Sequence, residues 1–190
     1  MTSLMLDIET LGVNSRAPVL QIAAILFNPL TGDCIEESAF NYHLTLEDQF
    51  NNGRIADAST IAWWMQQSDE ARAAVFGTKE FPAIRMDTSF ALGQLANHFK
   101  WEGLDVWAKG VTFDIGMVGS LYEEDTLVQW TAPPWQFWRV RCMRTLSALG
   151  CDEAMNSVEK PAGFIAHDAL SDCRLQAKQV YAALKFLGRA

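Results

Sequence analysis

Ser3-Leu4-Met5-Leu6-Asp7-Ile8-Glu9-Thr10 is the stretch that decides how this chain folds. It is apolar enough for a buried strand, yet it carries two acids one residue apart. On a strand, residues i and i+2 leave the same face, so Asp7 and Glu9 point the same way. Two bare charges about 4 Å apart repel by roughly 4 kcal/mol at a surface-like dielectric, a large share of the roughly 5–15 kcal/mol that holds a domain together. A bound cation removes that strain. Alternatively, Asp7 ends the strand and Glu9 opens a solvated loop, which Gly12 and Asn14 suit. The pair alone leaves the two readings level, so the rest of the chain must decide.

Two further strand-like runs, 19–27 and 34–43, flank the turn-rich Asn28-Pro29-Leu30-Thr31-Gly32-Asp33, which predicts an antiparallel meander. Residues 45–58 are polar and read as loop. Ser59 suits an N-cap for a helix over 60–67, and Ser68-Asp69-Glu70-Ala71-Arg72 starts another with acids in its first turn. Phe90, Leu92, Leu95, Ala96 and Phe99 approximate one face of a helix over 88–99. A strand over 104–108, a helix over 113–121, a strand near 137–142 and a short helix around 145–149 follow. Residues 150–163 read as a mobile loop. Leu170, Cys173, Ala177, Val180, Tyr181, Leu184 and Leu187 recur at threes and fours, giving a long amphipathic last helix with Lys178 and Lys185 on its wet side. The expected class is α/β, a mixed sheet with three antiparallel N-terminal strands and helices on both faces. With no repeat, low-complexity tract or linker, residues 1–190 read as a single domain.

Composition narrows the function. A 190-residue chain that is 49% hydrophobic, with seven Trp and eleven Phe, can bury a substantial core and is not disordered. Its longest apolar run contains Gln21 and is too short to cross a bilayer, and no charged region precedes the first apolar stretch. A cytoplasmic protein with no membrane partner is expected. Cys34, Cys142, Cys151 and Cys173 lack paired spacing and read as reduced core residues. The net charge of −8 argues against holding nucleic acid by broad phosphate neutralisation.

Two other segments supply acids. Val106-Trp107-Ala108-Lys109-Gly110-Val111-Thr112-Phe113-Asp114 reads as strand, turn and helix start, which puts Asp114 where the chain leaves the sheet. Sites of open α/β sheets gather there, although in isolation the better reading of Asp114 is an acid of the helix's first turn interacting with the dipole. Ala166-His167-Asp168-Ala169-Leu170-Ser171-Asp172 heads the last helix, and its histidine and second aspartate can face one cleft.

In this order the residues resemble the DEDDh-type 3′-to-5′ exonucleases, the family of the replicative proofreading subunit, ribonuclease T and oligoribonuclease. Asp7 and Glu9 match the D-x-E-T motif, Asp114 the middle motif, and His167 with Asp172 the H-x-x-x-x-D motif, across essentially the whole chain. Ser59-Thr60-Ile61-Ala62-Trp63-Trp64 with Gln67-Ser68, and Gly163-Phe164-Ile165-Ala166-His167-Asp168, look most like the phage exonuclease A and exonuclease VIII-like subgroup. The resemblance implies a ribonuclease H-like fold and metal-dependent release of mononucleotides from the free 3′ end of single-stranded nucleic acid, with DNA ahead of RNA. It implies two Mg²⁺ or Mn²⁺ ions, with Asp7 bridging both and Glu9, Asp114 and Asp172 completing their shells. Hard oxygen ligands suit such ions, whose local charge attracts phosphate even on an acidic chain. His167 would be the general base, since an unperturbed imidazole titrates near working pH.

Thr10, Leu11 and Gly12 would line the terminal nucleotide, with an apolar side chain wedged beside its base. Trp63 and Trp64 diverge by about 100° on a helix, so one suits the core and the other the cleft; Trp64 is the expected substrate contact. Arg139, Arg141 and Arg144 are the main basic cluster, open between phosphate contact and solvated face. Relatives are often dimers, so a homodimer is a candidate assembly. Two rival readings stand. Asp7-Ile8-Glu9-Thr10 also resembles the D-x-D-x-T loop of aspartyl-phosphate phosphatases, whose nucleophile would be Asp7, but that leaves His167 unexplained. A non-catalytic nucleic-acid-binding module is a poor fit to so acidic a chain.

Overall fold

The first two strands, β1 (Ser3–Thr10) and β2 (Val19–Phe27), are buried on both faces, as central strands covered on each side must be. They pair antiparallel, with Asp7 opposite Ala23 and Glu9 opposite Gln21, and the register slips between Glu9 and Thr10. β3 (Phe40–Leu44) pairs antiparallel with β2, completing the meander. Next come α1 (Glu47–Asn51), α2 (Ala58–Trp64), α3 (Asp69–Phe76), the two-residue β4 (Arg85–Met86), α4 (Thr88–His98), β5 (Asp105–Ala108) and α5 (Asp114–Glu124). β6 (Val140–Cys142), α6 (Met143–Leu146), α7 (Asp152–Asn156) and α8 (Ala169–Phe186) end the chain. The structure, a computed structural model, describes residues 2–124 and 132–190. The sheet runs β4-β3-β2-β1-β5-β6, with β5 parallel to β1 and β6 parallel to β5. This is a mixed α/β fold of the ribonuclease H-like kind.

Strand alternation sorts the core into two layers. Leu4, Leu6 and Ile8 pack with Leu92 and Leu95 of α4 and Val118 and Leu121 of α5. Met5, Ala23 and Ile25 pack on the opposite face with Cys173, Ala177 and Val180 of α8. The row of β1 that begins with Met5 therefore faces α8, and further along that row stand Asp7 and Glu9. The acids continue a core-facing row at the point where its apolar part stops.

Several boundaries differ from the sequence expectation, each for a physical reason. The third strand starts at Phe40 because a 3₁₀ turn, Glu36–Ser38, is stitched by the Ser38 hydroxyl, which donates to the Ile35 carbonyl at 2.6 Å and accepts from the Leu26 N–H at 2.9 Å. The segment read as loop at 45–58 contains α1, tied down by buried Gln49, whose amide bonds the Val19 N–H and carbonyl. α2 begins at Ala58, so Asp57 rather than Ser59 takes the N-cap position, and its carboxylate accepts from the Val13 N–H and the Asn14 amide instead. The strand near 137–142 is shortened to Val140–Cys142 by a 3₁₀ turn before it. The helix expected around 145–149 starts at Met143 and breaks at Gly150, whose φ of 84° is left-handed. The stretch read as a mobile loop at 150–163 includes α7, anchored by buried Met155. Among the described residues, no helix is long and apolar enough to cross a membrane.

Candidate active site

Three elements converge at one end of the sheet. β1 supplies Asp7 and Glu9, α5 opens with Asp114 just past β5, and the first turn of α8 supplies Asp172. A cleft of about 450 Å³ gathers these four carboxylates with His167, Lys109, Arg144, Trp63 and Gln176. Ligand atoms of Glu9, His167 and Asp172 all lie within 4.8 Å of one another.

The start of α8 is fixed by polar bonds to β2. Asp168 caps it by accepting from the Ser171 N–H at 3.0 Å, and also accepts from the Gln21 amide at 2.8 Å. Gln21 in turn accepts from the Ala169 N–H at 3.1 Å. A glutamine in an otherwise apolar strand is thus the clamp that sets α8 across from Glu9. His167, just before the helix, has φ of 62°, and among the described residues it alone is left-handed without being glycine. Such a conformation costs energy and persists only where surroundings enforce it. Here the Asp172 carboxylate enforces it, accepting from the His167 N–H at 3.0 Å. The imidazole meets the Trp63 ring edge-on at 4.8 Å between centroids.

Burial and mutual repulsion make the acids hard to ionise. Burial, then the charges of Asp114, Glu9 and Asp172, hold the Asp7 carboxyl well above the usual range. Burial, then Asp172 and Asp114, push Glu9 up to about 8. Burial raises Asp114 to about 6 against the opposing Gly110 N–H, and raises Asp172 as well. Hydrogen-bond donors are scarce: Gln176 donates to Asp7 at 2.8 Å, the Gly110 N–H to Asp114 at 2.9 Å, and among the described residues nothing donates to Glu9. An all-oxygen acid set with one imidazole, desolvated and starved of donors, fits a hard divalent cation. Asp7, Glu9, Asp114 and Asp172 would hold it.

Gln176 escaped the sequence reading. It follows Asp172 by four positions, so both project from one side of α8, and that spacing was the available signal. It is buried, and its Oε1 atom has no partner among the described residues.

The expected substrate residues separate into two kinds. Thr10 and Leu11 are buried; the Thr10 hydroxyl donates to the Gly12 carbonyl at 2.7 Å, and Leu11 packs with Leu20, Trp64 and Val75. Gly12 is pinned against its neighbours, since a Cβ there would stand 2.7 Å from Asp57 Oδ2 and 2.9 Å from Ala17 Cβ. Trp64 borders a pocket beside the carboxylates from a buried position. It is only 3% exposed and its indole N–H donates to the Thr10 carbonyl at 2.9 Å. Its neighbour Trp63 is 41% exposed and borders the carboxylate cleft. The arginine cluster also divides. Arg139 and Arg141 both pair with Asp105, at 3.0 and 3.1 Å, whereas Arg144 lines the cleft.

Comparison with known proteins agrees with this geometry. An exodeoxyribonuclease of Enterobacteria phage T4 is 26% identical over 210 aligned residues, covering 98% of this chain and 90% of the relative. The structure of exonuclease I superposes with a TM-score of 0.62 at 13% identity, over 97% of this chain and 41% of that one. E. coli exonuclease I in complex with a dT13 oligonucleotide gives 0.59 at 14% identity, over 99% and 42%. Cell-death related nuclease 4 gives 0.59 at 16% identity, over 98% and 64%. The chain thus spans less than two thirds of each of these solved proteins, and at such identities they establish the fold. The profile of the Rv2179c-like 3′-5′ exoribonuclease domain matches residues 2–184, and the chain belongs to that family of hydrolytic nucleic-acid exonucleases.

Proposed function

We propose that residues 1–190 act as one exonuclease domain that binds two Mg²⁺ or Mn²⁺ ions and releases mononucleotides from the free 3′ end of single-stranded DNA. The observation that carries this reading is the convergence of four donor-poor carboxylates from β1, α5 and α8 on one cleft beside an imidazole. Bound divalent cations supply a water of lowered pKa and neutralise charge at the leaving oxygen. Asp7, Glu9, Asp114 and Asp172 hold them, and Gln176 orients Asp7 through its amide. His167 takes the proton of the attacking water as general base. Its ring is steadied by the edge of Trp63, and its backbone by Asp172.

Trp63 replaces Trp64 as the base contact in this reading. A pocket of about 390 Å³ beside the carboxylates is lined by Val13, Thr60, Trp63, Trp64 and Phe113, and its apolar walls suit a nucleobase. Thr10 lines it as well, and Leu11 and Gly12 continue the chain beside it. All five acidic and histidine groups come from one chain, so a homodimer is not required to complete the site. The four free thiols suit a reducing compartment, and we place the protein in the cytoplasm. DNA is favoured by the phage relative, named an exodeoxyribonuclease; RNA is the second reading, favoured by the family's description. The aspartyl-phosphate and binding-module readings are set aside by family membership.

The test uses 3′- and 5′-labelled DNA and RNA oligonucleotides, single and double stranded, with Mg²⁺, Mn²⁺ or chelator. Cation-dependent release of mononucleotides from the 3′ end of single-stranded DNA is the expected result. Faster hydrolysis of RNA replaces the DNA assignment, and turnover that survives chelation overturns the cation assignment.

A further inference from the structure

We infer that Arg144 grips the phosphate one step upstream of the bond being cut, and so makes the enzyme an exonuclease of strands rather than an esterase of single nucleotides. This rests on the exonuclease reading above. The observation begins with charge. Four carboxylates repel a phosphodiester, and among the described residues the Lys and Arg side chains lining the same cleft are Lys109 and Arg144. Most other arginines are committed elsewhere: Arg16 and Arg54 to Glu124, Arg139 and Arg141 to Asp105, Arg174 to Glu36. Among the described residues, Arg144 forms neither an ion pair nor a side-chain hydrogen bond. It stands against Gly110, 3.5 Å from where a Cβ would project, next to the N–H that holds Asp114.

Position then separates Arg144 from Lys109. Both line the carboxylate cleft, but Arg144 also lines an adjoining pocket of about 420 Å³ formed with Val13, Val111, Thr112, Phe113 and Cys142. Val13 and Phe113 border that pocket on one side and the Trp63 pocket on the other. They form a partition between two nucleotide-sized spaces. A strand with its last base in the Trp63 pocket passes the carboxylates and then crosses Phe113, which brings its next phosphate to the guanidinium at the junction. A planar guanidinium offers paired donors to a phosphate, and its charge adds to affinity without entering the chemistry.

The experiment compares wild type, Arg144→Gln, Arg144→Lys and Arg141→Gln on two substrates. One is a single-stranded dT oligonucleotide; the other is thymidine 5′-p-nitrophenyl phosphate, which has the bond to be cut but no upstream phosphate. For Arg144→Gln we expect KM for the oligonucleotide to rise about 10- to 100-fold with kcat little changed. The same variant should lose at least ten-fold less kcat/KM on the small ester. Binding of a fluorescent dT oligonucleotide, measured by anisotropy in a His167→Ala background with Mg²⁺, should show a salt slope reduced by about 0.7, the value of one phosphate contact to a single strand. Arg144→Lys should recover that slope, and Arg141→Gln, which removes an equal charge already paired with Asp105, should leave it unchanged. Equal losses on both substrates with an unaltered salt slope would assign Arg144 to support of Asp114 and overturn the inference. Wild type that cleaves neither substrate while Arg144→Gln still reduces the slope would instead reject the exonuclease reading and leave the phosphate contact standing.

Discussion

Asp48 and Asp7 are both acids drawn into the fold, and the protein treats them in opposite ways. Asp48, in the first turn of α1, accepts from the Thr45 hydroxyl at 2.7 Å and from the Gln49 and Thr88 N–H groups, each at 2.9 Å. Burial pushes its carboxyl up, but bonds from Thr88, Thr45 and Gln49 outweigh that and hold it below the ordinary value. Asp7 has one donor, Gln176, and three acidic neighbours, and its carboxyl is held far above. An acid used for folding is saturated with donors; an acid kept for a cation would be left nearly bare, as Asp7 is.

The largest effect expected from this contrast is a double dissociation. Asp7→Asn should reduce mononucleotide release to background while leaving the fold intact. Asp48→Asn should keep turnover and lose about 1 kcal/mol of stability in urea unfolding. Turnover in the first variant, or its loss in a folded second, would break the distinction. Next in size, His167→Ala should slow the chemical step by about 10²–10⁴ while Mg²⁺ affinity by calorimetry changes little. Strong loss of affinity would make the imidazole a ligand rather than a base.

The two kinds of acid also predict opposite pH dependence in protein freed of divalent cations. Glu9, shifted from 4.5 to about 8, and Asp114, shifted from 3.8 to about 6, bind protons more tightly folded than unfolded. Their contribution to stability is therefore greatest at low pH and is lost as pH rises, between about 4 and 8. Asp48, shifted down, contributes above its unfolded value and loses that contribution as pH falls. The melting temperature of chelated protein should fall by several degrees from pH 5 to 8, and Mg²⁺ should remove the fall. A flat profile in chelator would show that the cleft acids are not under strain. The smallest effect is expected from Gln176→Leu, which takes the last donor from Asp7 and should reduce kcat/KM about 10-fold together with Mg²⁺ affinity.

The strand register made the acid pair legible, because i and i+2 on a strand share a face whatever the tertiary context. His167 and Asp172 were legible from their place at the head of a strongly periodic helix. Elements stabilised by long-range polar bonds were not legible. α1 depends on Gln49 reaching Val19, and the docking of α8 depends on Gln21 reaching Asp168, 147 positions along the chain. Trp64 and Trp63 are identical by type, and only the Thr10 carbonyl, exposed to the helix where β1 slips register, selects which indole turns inward.

The clamp between Gln21 and the head of α8 has a consequence for biosynthesis. β1 emerges first from the ribosome, whereas the imidazole, the last carboxylate and Gln176 emerge only after residue 166. Until then the chain carries three of the four cleft carboxylates and neither the imidazole nor Gln176, so the cleft is incomplete. The cleft is complete only with the head of α8 in place, where Asp168 accepts from Gln21 of β2.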